Sequence, residues 1–377
     1  MRELAEQGRK VINLGEGELD FSTPDYVKRS GIEAIENDFT KYTEVTGIDE
    51  LKSAIAFKLS RDSGVDYAKE QIIAASGGKQ IIFNAMLATL DADDEVVIPA
   101  PYWVSYPDIV RLTGATPVIV ECDRDQGFKL TPWGLREALN TNTRWLILNS
   151  PNNPTGAVYS RDELSALLDV LDDFPNILVL ADDIYEHLTY EMPGISPVAC
   201  RPDLAERILT VNGVSKLYAM TGWRIGYAAG PEWLIKAMTT LQSQSTTSAA
   251  SMCQVAAGVA LENSLDFLEP RLTELRERRD LVVAAIKAID GLDCDTPGGA
   301  FYVYVDCRGL MGRRTPAGDA LESDVDLAAY LASEAGVGVV PGTAFGLAPY
   351  LRLAYGLSRE DIERAMGQIT EACAALS

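Results

Sequence analysis

The middle of the chain alternates short apolar runs with amphipathic stretches, and this alternation limits the possible folds more than any other feature. Helical spacing between the runs is clear in QIIFNAMLATL and in RDELSALLDVLDD. Continuous β-branched runs separated by helices are typical of a mostly parallel sheet with both faces covered. The sequence therefore predicts an α/β fold with a mostly parallel sheet flanked by helices. The runs predicted as strands are 71–76, 94–100, 115–123, 143–150, 176–183, 207–213 and 223–230.

The C-terminal part of the chain has a different pattern. A long, charged amphipathic helix is predicted over 268–290, and another helix over the final residues. Helices around a few short strands are typical of an α+β layer. We place a domain boundary near residue 270, so that 25–270 form a large domain, and 1–24 with 271–377 form a small one. The strands predicted in this part are 299–307, 336–342 and 351–356.

The balance of charges excludes two classes of partner. The chain has 33 Lys and Arg against 55 Asp and Glu, so its formal net charge is −22. Non-specific nucleic-acid binding requires clustered basic residues, and adhesion to an anionic membrane requires them too. No run reaches the roughly 18 apolar residues that span a bilayer. The N-terminal residues carry charges where a signal peptide would need apolar ones. We therefore expect neither a nucleic acid nor a membrane as a partner.

The cysteine and histidine content restricts the chemistry. Six cysteines without a CxxC pair predict free thiols in a reducing cytoplasm rather than a disulfide framework. The single histidine, His187, argues against zinc sites and Ser–His–Asp triads, because both rely on imidazole. Acid–base chemistry would then come from Lys, Tyr, Asp or a cofactor. We interpret His187 as a structural residue near the site.

The residues that follow the predicted strands are the first candidates for a site, because ligands of open parallel sheets bind beyond the carboxyl ends of the strands. Gly78 and Lys79 begin a helix whose free N–H groups suit an anion, although a simple turn explains them equally well. Trp103 follows another strand and could stack on a planar ligand, although packing alone also explains it. Asn153 lies in the loop PNNPTG, where its amide could donate to an anionic oxygen or only stabilise a turn.

The next two strand ends are followed by charged residues. Asp182 ends an apolar strand shortly before Tyr185, where its carboxylate either pairs with a cation on a ligand or caps the next helix. Lys216 could form a Schiff base, and Arg224 offers a planar fork for a phosphate. Together these groups provide an amine, a carboxylate for a pyridinium nitrogen, Tyr and Asn for a phenolic oxygen, and a phosphate site. Pyridoxal phosphate needs all of them.

Ten motifs occur along the chain in this order: GEGELDF, KYTEVTG, GGKQ, PYWVSYP, NSPNNPTG, ADDIYEHL, NGVSK, MTGWRIGYA, GAFYV and VVPGTAFG. On these motifs the chain resembles class I aminotransferases of the pyridoxal-phosphate fold-type I group, from about Arg9 to the C-terminus. It is similar to bacterial aspartate aminotransferases of the branch that often also aminates prephenate. The resemblance implies a large domain with a mostly parallel sheet, a smaller α+β domain, and pyridoxal 5'-phosphate as the cofactor.

The resemblance also implies a role for each residue around the cofactor ring. Lys216 would form the covalent link to the cofactor and then move the substrate's α-proton. Asp182 would pair with the pyridine nitrogen and keep it protonated. Tyr185 and Asn153 would bond the phenolic oxygen. Trp103 would stack on the ring.

At the phosphate end, the resemblance implies that Arg224 and the backbone amides of Gly78 and Lys79 bind the phosphate. Tyr42, in KYTEVTG, would reach the phosphate of the neighbouring subunit, so the active unit would be a homodimer. Many members of the family have a phosphate-binding serine where this chain has Gly213. We therefore expect the phosphate site to lack one hydroxyl.

The implied substrate site lies against Trp103 and Asn153 and binds both ends of a dicarboxylate. Arg352 would grip the α-carboxylate with two hydrogen bonds, and Gly17 would approach the substrate closely. A cation at Lys79 suits the distal carboxylate of aspartate or glutamate.

Two further departures from the family pattern concern the N-terminal region. Leu19 stands where the family commonly has a proline, which predicts a more mobile glycine loop. The chain also begins later than the family's usual arm, which predicts the loss of arm contacts across the dimer.

The implied activity is a ping-pong transfer of the amino group of aspartate or glutamate to a 2-oxo acid such as 2-oxoglutarate or oxaloacetate. Acceptance of prephenate stays open. The alternatives are an aminotransferase for aromatic or neutral amino acids, and another enzyme of the same fold, such as a carbon–sulfur lyase or a cyclopropane-forming synthase. A binding protein with a relic site is the remaining alternative, and the intact Lys216, Asp182 and Arg352 argue against it.

Overall fold

The computed structural model describes Glu6, Gly8 and residues 10–377. Each central run predicted as a strand contains one strand, a little shorter than the run. The run predicted over 336–342 contains two, because its halves pair with different neighbours. The strands are β1 (Ile12–Asn13), β2 (Ile72–Ala75), β3 (Glu95–Ala100), β4 (Thr116–Glu121), β5 (Thr143–Asn149), β6 (Leu178–Asp182), β7 (Ile208–Gly213), β8 (Gly226–Ala229), β9 (Asp293–Cys294), β10 (Tyr302–Asp306), β11 (Val337–Gly338), β12 (Val340–Pro341) and β13 (Tyr350–Ala354).

The main sheet of the described residues has seven strands, in the order β2-β8-β7-β6-β5-β3-β4. Neighbouring strands are parallel from β7 to β4, whereas β8 is antiparallel to both β2 and β7. The predicted mostly parallel sheet is therefore confirmed. Along β6, Leu180 packs into one hydrophobic core, and its neighbours Val179 and Ala181 pack into the core on the opposite face. This burial on both faces explains why the strands read as continuous apolar runs.

Helices cover both faces of this sheet. The helix that begins at Arg161 shows how the sequence determines where a helix starts. The Ser160 hydroxyl accepts a hydrogen bond from the Glu163 N–H, and the Glu163 carboxylate accepts one from the Ser160 N–H. This reciprocal pair is a capping box. The helices are α1 (Asp25–Glu36), α2 (Asp49–Ser63), α3 (Gly78–Thr89), α4 (Ser105–Leu112), α5 (Pro132–Ala138), α6 (Arg161–Val170), α7 (Pro197–Cys200), α8 (Glu232–Ser245), α9 (Ser251–Glu262), α10 (Leu268–Lys287), α11 (Asp324–Tyr330) and α12 (Arg359–Ala374).

A second, smaller layer contains an antiparallel sheet of order β12-β13-β10-β9 and the parallel pair β1-β11. Helices α10 and α12 pack against it through a separate hydrophobic core that includes Val282, Val303, Leu353 and Ile369. The predicted combination of an α/β sheet with an α+β layer is confirmed. The boundary near residue 270 stays a prediction.

The two layers are in direct contact. Arg124, after β4, forms ion pairs with Asp293 (2.8 Å) and Asp295 (2.9 Å) of the second layer. The Phe128 ring packs edge-on against Tyr304 and Tyr350, with ring centroids 5.5 and 5.6 Å apart. These contacts hold β10 and β13 opposite the carboxyl ends of β5, β6 and β7, where the candidate site lies.

All six cysteines lie in the described part of the chain and are free thiols. Burial raises the pKa of the Cys122 thiol to about 12, so it is an unreactive core residue. Among the described residues, we find no helix with the length and apolar character needed to cross a membrane.

Candidate active site

A cavity of about 590 Å³ lies where β5, β6 and β7 end, and residues of the second layer close it. Tyr42 lies outside this cavity, in the loop between α1 and α2, and its side chain is 91 % exposed. The other residues predicted for the site all line the cavity: Gly17, Gly78, Lys79, Trp103, Asn153, Asp182, Tyr185, Lys216, Arg224 and Arg352.

Lys216 follows β7, and its amine donates a hydrogen bond to the carbonyl oxygen of Gly17 (2.5 Å). Burial lowers the pKa of Lys216 to about 8, although the carboxylate of Glu18 opposes the shift; the cations of Arg352 and Arg224 act in the same direction as burial. The neutral amine is the form that attacks a carbonyl carbon. Lys216 is thus prepared for covalent chemistry close to neutral pH.

Asp182 is the last residue of β6, and its carboxylate is buried. Tyr106, on α4, donates its hydroxyl to Asp182 Oδ2 (2.6 Å). Burial raises the pKa of Asp182 to about 6 in spite of this hydrogen bond. A buried carboxylate is costly unless a cation pairs with it. The site therefore suits a ligand with a cationic group at Asp182.

Two cavity residues that the sequence analysis missed support this carboxylate. Tyr106 lies in the motif PYWVSYP, three residues after Trp103, so the motif itself was the available signal. Asn149 ends β5; its amide nitrogen donates to the Asp182 carbonyl (2.8 Å), and its amide oxygen accepts from the Asn153 N–H (2.9 Å). Asn149 thus ties the ends of β5 and β6 to the loop that carries Asn153.

Tyr185 and Tyr302 line the cavity where the two layers meet, and their hydroxyl oxygens are 2.9 Å apart. Tyr302, on β10, is another cavity residue that sequence reasoning missed. Gly17 lies directly against it: a Cβ at Gly17 would be 2.7 Å from the Tyr302 hydroxyl oxygen. A side chain at Gly17 would therefore require the Tyr302 ring to move. The expected close approach of Gly17 to the substrate stays a prediction.

The end of the cavity near α3 is suited to an anion. Gly78 and Lys79 are the first residues of α3, whose N–H groups are free for an acceptor. Gly77 has φ +93°, and a Cβ there would collide with the guanidinium of Arg224. Arg224 donates to the Thr221 carbonyl (2.8 Å), which holds its guanidinium at this end.

Arg352, on β13, contributes a largely buried guanidinium to the cavity lining. It donates to Asn153 Oδ1 (3.0 Å) and to the Gly15 carbonyl (2.5 Å), and it lies over the Tyr302 ring at 4.6 Å from the centroid. Its Nε is buried and has no hydrogen-bond partner among the described residues. A buried donor of this kind suits a carboxylate ligand.

Lys79 lies in the cavity wall beside Trp103. Its Nζ is 4.8 Å from the centroid of the Trp103 ring. The Trp103 ring is nearly perpendicular to that of Tyr106. The wall therefore combines an aromatic surface with one positive charge.

The structure gives a steric reason for one departure from the family pattern. A Cβ at Gly213 would be 2.9 Å from the Ile225 carbonyl oxygen, so a serine would not fit there. Ser215, two residues after Gly213, lines the cavity.

Leu19, the other departure from the family pattern, is buried in the hydrophobic core of the second layer. The next residue, Asp20, donates its N–H to the Gly356 carbonyl (2.8 Å). The expected mobility of this loop stays a prediction.

Residues 9–369 match the family model of the class I and II aminotransferases. The chain belongs to this family. It is 51% identical, over 99% of its own length and 94% of the relative's, to a probable aspartate/prephenate aminotransferase of Rhizobium leguminosarum bv. phaseoli. It is 50% identical to an aspartate aminotransferase of Rhizobium meliloti, over 98% of this chain and 91% of the relative.

Solved structures are similar over almost the whole chain. The aspartate aminotransferase from Rhizobium meliloti matches with a TM-score of 0.97 at 48% identity, covering 100% of this chain and 94% of that one. The aspartate aminotransferase from Thermus thermophilus with maleate matches with a TM-score of 0.92 at 41% identity, covering 98% and 94%. The class I family uses pyridoxal phosphate.

Proposed function

We propose that this aminotransferase uses pyridoxal 5'-phosphate to transfer the amino group of aspartate or glutamate to a 2-oxo acid, and that prephenate is a further acceptor. One observation supports this most strongly: the amine of Lys216, with its lowered pKa, shares a cavity with the unpartnered Nε of Arg352. The names of the relatives, aspartate aminotransferase and aspartate/prephenate aminotransferase, support the choice of substrates.

The residues of the cavity fit the cofactor group by group. The buried carboxylate of Asp182 suits a protonated ring nitrogen, because it lacks a salt bridge to any described residue. The start of α3 and Arg224 would hold the phosphate. Trp103 would cover the ring, and Tyr185 would bond its phenolic oxygen together with Asn153. When bound, the cofactor supplies the carbonyl carbon that takes up the amino group and a conjugated ring that withdraws electrons.

The chain's own residues orient the substrate and move its proton. Arg352 binds the α-carboxylate with its free Nε and so fixes the direction of the bonds at Cα. The Lys216 amine accepts the proton from the substrate Cα and holds it for return, since a pKa near 8 suits both directions of transfer. The second layer covers this region and limits the access of water.

Lys79 would bind the distal carboxylate of the substrate. It carries a positive charge beside Trp103, in the cavity that Arg352 also lines. The Thermus relative was solved with maleate, which like aspartate is a four-carbon dicarboxylate. That complex supports a site that binds two carboxylates.

We further propose that the active unit is a homodimer in the cytoplasm. Tyr42 is 91 % exposed and lies outside the cavity of its own chain, which supports a role in the neighbouring subunit. Free thiols at all six cysteines support a reducing compartment.

The test is a substrate panel on the purified protein loaded with the cofactor. Aspartate with 2-oxoglutarate should give oxaloacetate and glutamate, and prephenate with aspartate should give the aminated prephenate. Alanine and phenylalanine as donors test the alternative specificities. A thioether amino acid such as cystathionine is added for the lyase alternative: release of pyruvate and a thiol from it, without any oxo acid, would instead indicate a carbon–sulfur lyase. Lys216→Ala is the control, and full activity in that variant would overturn the proposal.

A further inference from the structure

A second, smaller cavity borders the candidate active site and shares Ile184 and Asn212 with it. Its lining includes Lys58, Glu186 and His187, which the proposed function does not use. Lys58 lies on α2 and is only 2 % exposed. A buried lysine is costly unless its charge is paired. The pairing of Lys58 therefore indicates what this cluster does.

Lys58 is neutralised by two carboxylates. It forms an ion pair with Glu186, and its Nζ lies 3.5 Å from Asp62 Oδ2. Burial favours the neutral amine, but Glu186 and Asp62 outweigh it, so the pKa of Lys58 is raised. Asp62 also lies 3.0 Å from His187 Nε2 and accepts from Arg61 Nε (2.6 Å). The cluster is thus a closed network of opposite charges.

Three residues of this network also carry atoms of the kind that bind metals: those of Asp62, Glu186 and His187 lie within 4.8 Å of one another. The positive charges of Lys58 and Arg61 already lie against the two carboxylates. A further cation would be repelled by them. The hydrogen bond between Glu186 and Asn212 gives a better explanation of the network.

Glu186 connects the network to the active site through Asn212. The Asn212 amide nitrogen donates to Glu186 Oε1 (2.6 Å), and the Asn212 amide oxygen accepts from the Gly213 N–H (2.7 Å). Asn212 lies at the carboxyl end of β7, and Lys216 follows four residues later. The loop after β6 and the end of β7 are therefore joined behind the cofactor cavity. An acceptor that is ionised makes the stronger hydrogen bond.

We propose that Glu186 is a positioning residue for the cofactor site: neutralised by Lys58, its carboxylate holds Asn212 and so fixes the turn from Gly213 to Lys216. The inference rests on the proposed function, because it assigns Lys216 to the cofactor. Glu186 itself touches neither substrate nor cofactor. Its side chain is joined to the site by the hydrogen bond from Asn212, and this link is what the experiment tests.

A double-mutant cycle tests the proposal. Glu186→Gln keeps the shape of the side chain and removes its charge, and Lys58 retains Asp62 as a partner. Asn212→Ala removes the other half of the link. Each single variant should raise the dissociation constant of pyridoxal phosphate about tenfold, as expected for one hydrogen bond to a charged group. The double variant should bind no more weakly than the weaker single variant, because Glu186→Gln weakens and Asn212→Ala removes the same hydrogen bond.

The dissociation constant is measured by quenching of tryptophan fluorescence in the apoprotein. Effects that multiply in the double variant, or unchanged binding in Glu186→Gln, would overturn the proposal. If Glu186→Gln fails to fold, the neutral pair Lys58→Met/Glu186→Gln replaces it in the cycle, with the same expected result.

Asp62→Asn is the matched control, because Asp62 belongs to the same network but does not contact Asn212. It should lower the melting temperature of the apoprotein and leave the dissociation constant within about twofold of the wild type. The absorbance of the Lys216-bound cofactor should change its pH midpoint in Glu186→Gln and not in Asp62→Asn. Equal changes in both variants would mean that the network acts only on stability.

Failure of this inference can be told apart from failure of the proposed function. If the wild type binds no pyridoxal phosphate, or if the absorbance band of the Lys216-bound cofactor persists in Lys216→Ala, the proposed function is wrong. If the wild type behaves as proposed and the cycle is additive, only the role of Glu186 is wrong.

Discussion

The pKa of Lys216 is set by burial and by the charges of four neighbouring residues. Burial and the two neighbouring arginine cations favour the neutral amine, and Glu18 and Asp182 favour the ammonium ion. The net pKa is about 8, below the ordinary lysine value of 10.5. Since the folded chain holds the proton less tightly, the amine loses it as the pH rises through about 8. The fraction of reactive amine near neutral pH is therefore far larger than for an exposed lysine.

The first prediction follows from the lowered pKa of Lys216. When apoprotein is mixed with pyridoxal phosphate from about pH 6 to about pH 11, the rate of formation of the Lys216 link should rise with a midpoint near pH 8. Arg352→Ala removes one cation that lowers the pKa, so its midpoint should move upward. The rate is followed by absorbance, with Lys216→Ala as the blank. A wild-type midpoint near 10.5 would contradict the assignment.

The second prediction concerns specificity at Lys79. Lys79→Met keeps the length of the side chain and its contact with Trp103 but removes the charge. The ratio kcat/KM for aspartate and glutamate should fall about tenfold more than that for alanine or phenylalanine, because only the dicarboxylates lose an ion pair. Steady-state kinetics with the four donors measures this difference. Equal losses for all donors would mean that Lys79 serves the phosphate alone.

At the scale of elements, the site is built where strands end and where a helix reaches over them. Helix α4 brings the Tyr106 hydroxyl to the end of β6, and Asn149 of β5 fixes the backbone of Asp182. The Tyr106 hydrogen bond lowers the pKa of Asp182, whereas burial raises it. The charge available to a ring nitrogen therefore depends on how α4 packs against the sheet.

The third prediction tests this contact. Tyr106→Phe should raise the pKa of Asp182 further, so the acidic limb of the kcat/KM profile should move to higher pH, and activity near neutral pH should fall about tenfold. Tyr102→Phe is the control, since Tyr102 lies in the same motif and does not bond Asp182. If the acidic limb does not move in Tyr106→Phe, the hydrogen bond from Tyr106 does not control the pKa of Asp182.

At the scale of the whole molecule, the formal net charge of −22 belongs to the chain as a whole, while the cavity gathers four basic residues. The lining also includes Glu16, Glu18 and Asp182, so the cavity gains little from long-range attraction and relies on short contacts. The proposed homodimer extends those contacts, because Tyr42 of each chain would complete the phosphate site of the other.

The fourth prediction is subunit complementation. Tyr42→Ala homodimers should bind the cofactor weakly, and Lys216→Ala homodimers should be inactive. In a mixed dimer, one site carries both changes and the other carries neither. Mixing the two variants under conditions that exchange subunits should therefore restore up to about a quarter of wild-type activity. Activity that never exceeds the sum of the separate variants would show that Tyr42 does not act across subunits.

Residues next to strand ends were open to prediction from the sequence. Continuous apolar runs mark buried parallel strands, and ligands of such sheets meet the residues that follow them, so Asp182 and Lys216 could be found locally. Arg352 and Gly17 have no such local signal. They were found only because the motifs around them resemble a family. The contacts that bring them to the cavity, Arg352 with Asn153 and Gly17 with Lys216, lie across the two layers.

The sequence by itself determined the order of strands and helices along the chain and the chemistry available at each strand end, because hydrophobic period and residue type are local properties. The tertiary structure decided which of these groups meet. Tyr106 reaches Asp182 across 76 residues of sequence, and Tyr185 reaches Tyr302 across 117. The link from Lys58 through Glu186 to Asn212 likewise joins a helix, a loop and a strand end. Such contacts depend on the packing of the sheet against its helices and the second layer, which no local pattern in the sequence specifies.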